Sequence, residues 1–237
     1  MKTIVVLVAC LALGAGIATA GERARAASAC AANLANRLAS TGGARQLVTV
    51  VSPASSSTRG TLQLWRRSGG CWLAVGGPWS AWLGEHGMSD RHVEGDGTTP
   101  TGSFGFEPTM YGLAPDPGVH YAYHRIACGD WWVEDPASPS YNRFRHLPCG
   151  STPPFRVKSE DMSRSPTAYR HLAVIAYNTD PVVPGRGSGI FLHVSRNRPT
   201  LGCVSLPLPQ LLTVLRWLRP EAQPAIVIGP RAEIERF

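Results

Sequence analysis

Beyond its N-terminus this 237-residue chain has no apolar run approaching the roughly 18 to 20 residues that span a bilayer as a helix, which excludes a bundle of membrane-spanning helices. Charge is scarce too: only 16% of residues are Asp, Glu, Lys or Arg, and lysine occurs at positions 2 and 158 alone. The net charge of +7 therefore rests on scattered arginines. With no basic stretch interleaved with aromatics, nucleic acid is not the expected partner, whereas polyanionic surroundings are compatible with the balance. His92, His120, His124, His146 and His171 stand at no metal-like spacing with carboxylates or thiols, so neither a metal nor another cofactor is expected. No internal repeat interrupts the pattern.

What the chain does have starts at Met1-Lys2, followed by an apolar run from Ile4 to about Thr19 and the small-x-small site Ala18-Thr19-Ala20. One positive charge, a short apolar core and such a site predict a signal peptide over 1–20, cleaved after Ala20. Leu7-Val8-Ala9-Cys10 resembles a lipoprotein cleavage box, but too few apolar residues precede Cys10 for that reading. The expected product is a secreted, cell-wall or periplasmic protein with no transmembrane segment. Its remaining residues, about 215, suit a helical segment over 21–45 and one domain over 46–230.

Loss of Cys10 leaves Cys30, Cys71, Cys128, Cys149 and Cys203, an odd set in an oxidising compartment. Cys128 and Cys149 flank a loop-like stretch that a bridge would close, and Cys30 with Cys71 is the default second pair. Three pairings of these four nevertheless remain open. The arithmetic leaves Cys203 as the free thiol.

Ala26 to Leu38 has helical spacing and stops at Thr41-Gly42-Gly43, and a second helix is predicted from Pro209 to Leu218. Between them the period is two. Strands are predicted at Gln46–Val51, Thr61–Arg66, Cys71–Val75, Ser103–Phe106, Val119–His124, Trp131–Glu134, His171–Tyr177, Gly189–His193 and Ala225–Ile228. Arg67-Ser68-Gly69-Gly70 reads as a hairpin turn between the second and third. Many short strands, with 25 glycines and 20 prolines, indicate a mainly β sandwich or barrel with a few peripheral helices.

The chemistry concentrates near the C-terminus. Gly189-Ile190-Phe191-Leu192-His193 runs on through Thr200-Leu201-Gly202-Cys203, placing a histidine ten residues ahead of the unpaired cysteine. A thiol titrates near 8.5 and attacks only as thiolate, so a neighbouring imidazole is the usual means of activating it. A buried cysteine and a satisfied core histidine on separate strands give the same spacing.

Three blocks, in order, resemble the L,D-transpeptidase (YkuD-like) catalytic domain of bacterial peptidoglycan metabolism. They are Glu94-Gly95-Asp96-Gly97-Thr98-Thr99-Pro100-Thr101-Gly102-Ser103-Phe104; Ala173-Val174-Ile175-Ala176-Tyr177-Asn178 with Gly187-Ser188-Gly189-Ile190-Phe191-Leu192-His193; and Thr200-Leu201-Gly202-Cys203-Val204. The resemblance covers about residues 46 to 229. It implies a YkuD-type β fold and acyl transfer from a peptidoglycan stem peptide through a Cys203 thioester, with His193 as base. An amine acceptor gives transpeptidation, water gives an L,D-carboxypeptidase, and a carbapenem adduct at Cys203 is expected.

The resemblance further implies that the Val194 carbonyl orients the imidazole. Gly202, beside the nucleophile, is expected to let backbone N–H groups approach an oxyanion. Tyr177 and Asn178 are candidates to line the cleft, Thr200 to hydrogen-bond near the thiol, and Arg196 and Arg198 to meet a stem-peptide carboxylate. The sequence departs from the family at Val194, where Gly or Ser usually follows the histidine, and at Leu201, where many members carry a second histidine. Ser205 stands where Arg or Asn is frequent, and the loop from His193 to Cys203 is short. A wall-binding domain of the same fold without activity is the competing reading. Sortases need an arginine soon after the cysteine, and papain-like enzymes place cysteine before histidine; neither order is present.

Overall fold

Alternating apolar residues assemble a ten-stranded, curled mixed sheet. In spatial order its strands are Gly102–Phe104, Ala225–Pro230, Gln46–Ser52, Arg59–Ser68, Cys71–Trp82, Val204–Leu206, Phe191–Val194, Leu172–Ile175, Phe106–Gly112 and Ala122–Arg125. The computed structural model describes residues 30–156 and 159–237; the signal segment, Cys10 and residues 26–29 of the expected first helix lie outside them. No helix among the described residues is long and apolar enough to cross a membrane.

Residues 46–52 are buried on both faces of the strand. Val48 and Val50 enter the main core with Ala173, Ile175, Leu192, Val204 and Leu206. Leu47 and Val51 pack oppositely with Trp65, Trp72 and Val227, as a period of two requires. The helix Leu208–Trp217 follows directly on Pro207 and buries Leu211, Val214 and Leu215, spaced as one helical stripe, against the main core. Each such side chain contributes roughly 2 kcal/mol of transfer free energy. The helix thus braces Val204–Leu206 and Phe191–Val194 from behind. At the predicted hairpin Gly69 and Gly70 take φ of 57° and 85°, the left-handed pair that a two-residue turn with the correct twist needs.

Several expected boundaries move, each for a local reason. Among the described residues, the first helix is only the 3-10 turn Ala35–Arg37. Asn33 Nδ2 donates to the Trp72 carbonyl and Trp72 N–H donates to Asn36 Oδ1, while Cys30 is bridged to Cys71. These ties hold the segment on the sheet instead of in helix. Val119 to Tyr121 are not strand, because the Asp116 carboxylate accepts from the N–H groups of Gly118 and Val119 and holds a turn there. The strand predicted to end at Phe106 breaks at Gly105, and a longer one, Phe106–Gly112, follows.

A three-stranded lobe, with Asp130–Trp132 between Phe144–His146 and Glu160–Asp161, stands beside the edge strand Ala122–Arg125. Cys128 is bridged to Cys149 across it. The buried Asp130 carboxylate accepts from His124 Nε2 and His146 Nδ1, both at 2.7 Å, and from the Ala127 N–H. These bonds hold its pKa below the usual carboxylate range against the opposing effect of burial, and they fasten the lobe to the large sheet.

Candidate active site

Phe191–Val194 and Val204–Leu206 pair in parallel, with Leu192 opposite Val204, His193 opposite Ser205 and Val194 opposite Leu206. Alternation along each strand then puts Phe191, His193, Cys203 and Ser205 on one face and Leu192, Val194, Val204 and Leu206 on the other, against the main core. Histidine and cysteine therefore share a side of the sheet. The loop 195–203 is short for a parallel connection. It is pinned midway, Thr200 N–H donating to the Leu83 carbonyl and Glu85 N–H to the Thr200 carbonyl.

His193 is 7% exposed, and its Nδ1–H donates to the Val194 carbonyl at 2.9 Å. That bond fixes the tautomer and leaves Nε2 as the proton acceptor. Burial, with help from the Arg196 charge, lowers the imidazole to about 4 against the opposing pull of the Val194 carbonyl. Tyr169 stands edge-on to the ring, centroids 6.0 Å apart. Cys203 is half-buried and, among the described residues, the one free cysteine. Its Sγ–H donates to the Gly189 carbonyl and its sulfur accepts the Phe191 N–H, each at 3.3 Å. Burial pushes the thiol up to about 12; the Phe191 N–H opposes that, and the Glu134 and Glu160 carboxylates add to it. The resting pair is thus neutral thiol and neutral imidazole, not a preformed ion pair.

Both residues line a cleft of about 560 Å³ with Thr200, Arg196 and Arg198. A model of the L,D-transpeptidase catalytic domain, YkuD, matches residues 55–228. The chain belongs to this family. Comparison with curated proteins and with solved structures gives no match. The mainly β architecture is that expected of the L,D-transpeptidase domain.

Other predicted site residues of this L,D-transpeptidase domain fall in three groups. Thr200 lines the cleft, and its hydroxyl donates to the Cys203 carbonyl at 2.6 Å and accepts the Gly202 N–H at 3.2 Å. The Gly202 N–H is itself engaged by Thr200. What its position demands is space and conformation: φ is 141°, and a Cβ there would stand 3.0 Å from the Thr98 carbonyl oxygen and 3.2 Å from Ile190. Tyr177 and Asn178 are not among the residues that line this cleft. The Tyr177 hydroxyl donates to the Arg186 carbonyl, and Asn178, with φ of 53°, bonds Val183 and Gly187. Both side chains close the 178–187 loop instead of lining the cleft.

Sequence reasoning missed a wall of the cleft formed by His92, Glu94, Glu134, Glu160, Tyr169 and Ser188. Glu94 accepts from the hydroxyls of Ser188 and Tyr141. His92, buried, meets Asp96 and Thr98 through Nδ1, and burial lowers its pKa. Burial and the nearby carboxylates raise Tyr169 well above the ordinary tyrosine range. These residues come from separate segments, so no spacing in the sequence announces them.

Proposed function

We propose that the protein is an exported cysteine acyltransferase acting on peptidoglycan stem peptides, forming a thioester at Cys203 with His193 as base. The observation that carries this reading is the tautomer-fixed, buried imidazole on the same sheet face and in the same cleft as the free thiol. With both groups neutral at rest, the proton passes from Sγ to Nε2 as sulfur attacks the carbonyl of the L-centre. The imidazolium then returns it to the departing amine of the D-residue. An incoming amine, giving up its proton to the same imidazole, resolves the thioester in transpeptidation; water in its place yields a carboxypeptidase. Arg196 and Arg198, on the cleft's rim, suit a stem-peptide carboxylate.

Mass spectrometry of the purified protein with defined muropeptides tests this directly. The expected result is an acyl adduct on Cys203, a matching covalent adduct with a carbapenem, and neither on Cys203→Ser folded to the same melting temperature. A wall-binding domain without activity is favoured by one observation, the thiol pushed up to about 12. An unmodified Cys203 alongside retained wall binding would establish that reading instead.

A further inference from the structure

Forming the thioester uses His193 as base and leaves a second imidazole of the same cleft, His92, without a task. The residue is 5% exposed, and its Nδ1 lies 2.9 Å from the Asp96 carboxylate and 3.0 Å from the Thr98 hydroxyl. That carboxylate is itself fixed, accepting from the Val93 and Thr98 N–H groups and from the Thr98 hydroxyl. Against the effect of burial these bonds hold Asp96 below its ordinary range, so it stays an acceptor and the ring presents Nδ1–H to it. Nε2 is then the acceptor nitrogen. It makes no hydrogen bond among the described residues, and it is not one of the side-chain atoms sealed from solvent without a partner. Two glycines give it room: a side chain at Gly187 would run into Nε2, and a Cβ at Gly202, next to the nucleophile, would lie 3.7 Å from Cε1. An oriented base beside Cys203 lacks only a donor.

Resolution of the thioester supplies that donor. An alkylamine reaches the cleft as an ammonium, with a pKa of about 10.4 for a lysine-like group, and must lose two protons to become an amide nitrogen. His193 holds one at a time. Glu94, two residues from His92 and in the same cleft wall, adds a carboxylate that draws a cation there. We propose that His92, backed by Asp96, takes the first proton from an ammonium acceptor, so that the cleft prepares an amine to resolve the thioester. The ammonium gives one proton to His92 Nε2, and the nitrogen lone pair so freed forms the C–N bond at the thioester carbonyl carbon. The second proton passes to His193 Nε2, the C–S bond breaks, and the departing thiolate takes that proton back; His92 releases its own to solvent. Burial, the leading influence on His92, keeps the ring neutral and ready to accept, while Asp96 and then Glu94 favour the charged form through which it passes. The inference rests on the Cys203–His193 reading and deepens it by assigning a residue to the acceptor.

The test acylates Cys203 in the full exported chain with a defined muropeptide and follows loss of the adduct by mass spectrometry with two acceptors. Nα-acetyl-lysine is an ammonium near neutral pH, whereas hydroxylamine is largely unprotonated there and arrives with its first proton already gone. His92→Gln is expected to lower the rate with Nα-acetyl-lysine roughly 100-fold relative to the rate with hydroxylamine. Asp96→Asn, at a less buried position, is expected to move the same ratio in the same direction by a smaller factor, and it carries the test if His92→Gln does not fold. An unchanged ratio, or equal slowing with both acceptors, overturns the proposal, because a purely structural histidine would not distinguish them. A parent protein that never acquires the adduct overturns the Cys203–His193 reading and the role of His92 with it; a normal adduct with an unchanged ratio removes His92 alone.

Discussion

At the scale of single residues, the site depends on which groups are denied water. His193 is a base held at about 4, so it is unprotonated, and ready to accept, at any pH above that value. The dependence of kcat/KM on pH should therefore rise through about 4 and stay level through neutrality, with no limb near the ordinary imidazole value of 6.5. A limb near 6.5 in a muropeptide or alkylation assay would mean that the ring is solvated during turnover. Gly202 supports a second prediction. Any side chain there adds a left-handed φ penalty to a clash with the Thr98 carbonyl, so Gly202→Ala should cost roughly 1–3 kcal/mol of stability. Because Gly202 adjoins the nucleophile, Cys203 alkylation should slow at the same time. Denaturant unfolding and thiol labelling measure the two effects; unchanged values in both would show that the turn relaxes freely.

At the scale of elements, what was legible in the sequence was what lies within one strand or one turn. The His193 strand, the Gly69-Gly70 hairpin and the Leu208–Trp217 helix each announce themselves by local period or turn chemistry, whereas the three-residue strand Val204–Leu206 is too short to show a period. The shared face of histidine and cysteine was not legible, because it follows from parallel pairing, which a nine-residue connection disguises. Tyr177 and Asn178 resembled a polar pair beside a cleft, yet a left-handed Asn that bonds three backbone groups of its own loop carries the same letters. The acidic wall was hidden for a different reason: Glu134 and Glu160 reach the cleft only because the small lobe folds against the large sheet. That lobe carries its own prediction. The Cys128–Cys149 bridge closes a loop with a sequence separation of 21, and replacing both cysteines by alanine should lower the unfolding free energy by roughly 3 kcal/mol. Cys203 alkylation should also quicken if the lobe loosens and Glu134 and Glu160, which hold the thiol up, draw away. Loss of stability with an unchanged alkylation rate would separate the bridge from the site.

At the scale of the whole molecule, the buried histidines make the fold sensitive to acid in a definite window. His92, His171 and His193 all have pKa values lowered chiefly by burial. Each is bound less tightly by protons in the folded chain than in the unfolded one, so unfolding takes up protons and stability falls as pH drops below about 6.5. For His193, with a folded value of about 4, the loss continues down to that pH and reaches roughly 3 kcal/mol. Asp96 and Asp130 act in a lower range: their values lie below the ordinary 3.8, so the stability they contribute is present above that value and is lost only as pH falls through their folded pKa values. Between pH 6.5 and 4 the histidines should therefore dominate. Urea unfolding across this interval should show a steady decline for the parent protein and a shallower one for His193→Gln, which removes the largest single contribution without introducing a charge. Parallel declines for the two proteins would mean that His193 is protonated as readily in the fold as in the free chain, and the neutral resting pair inferred for the cleft would then be wrong.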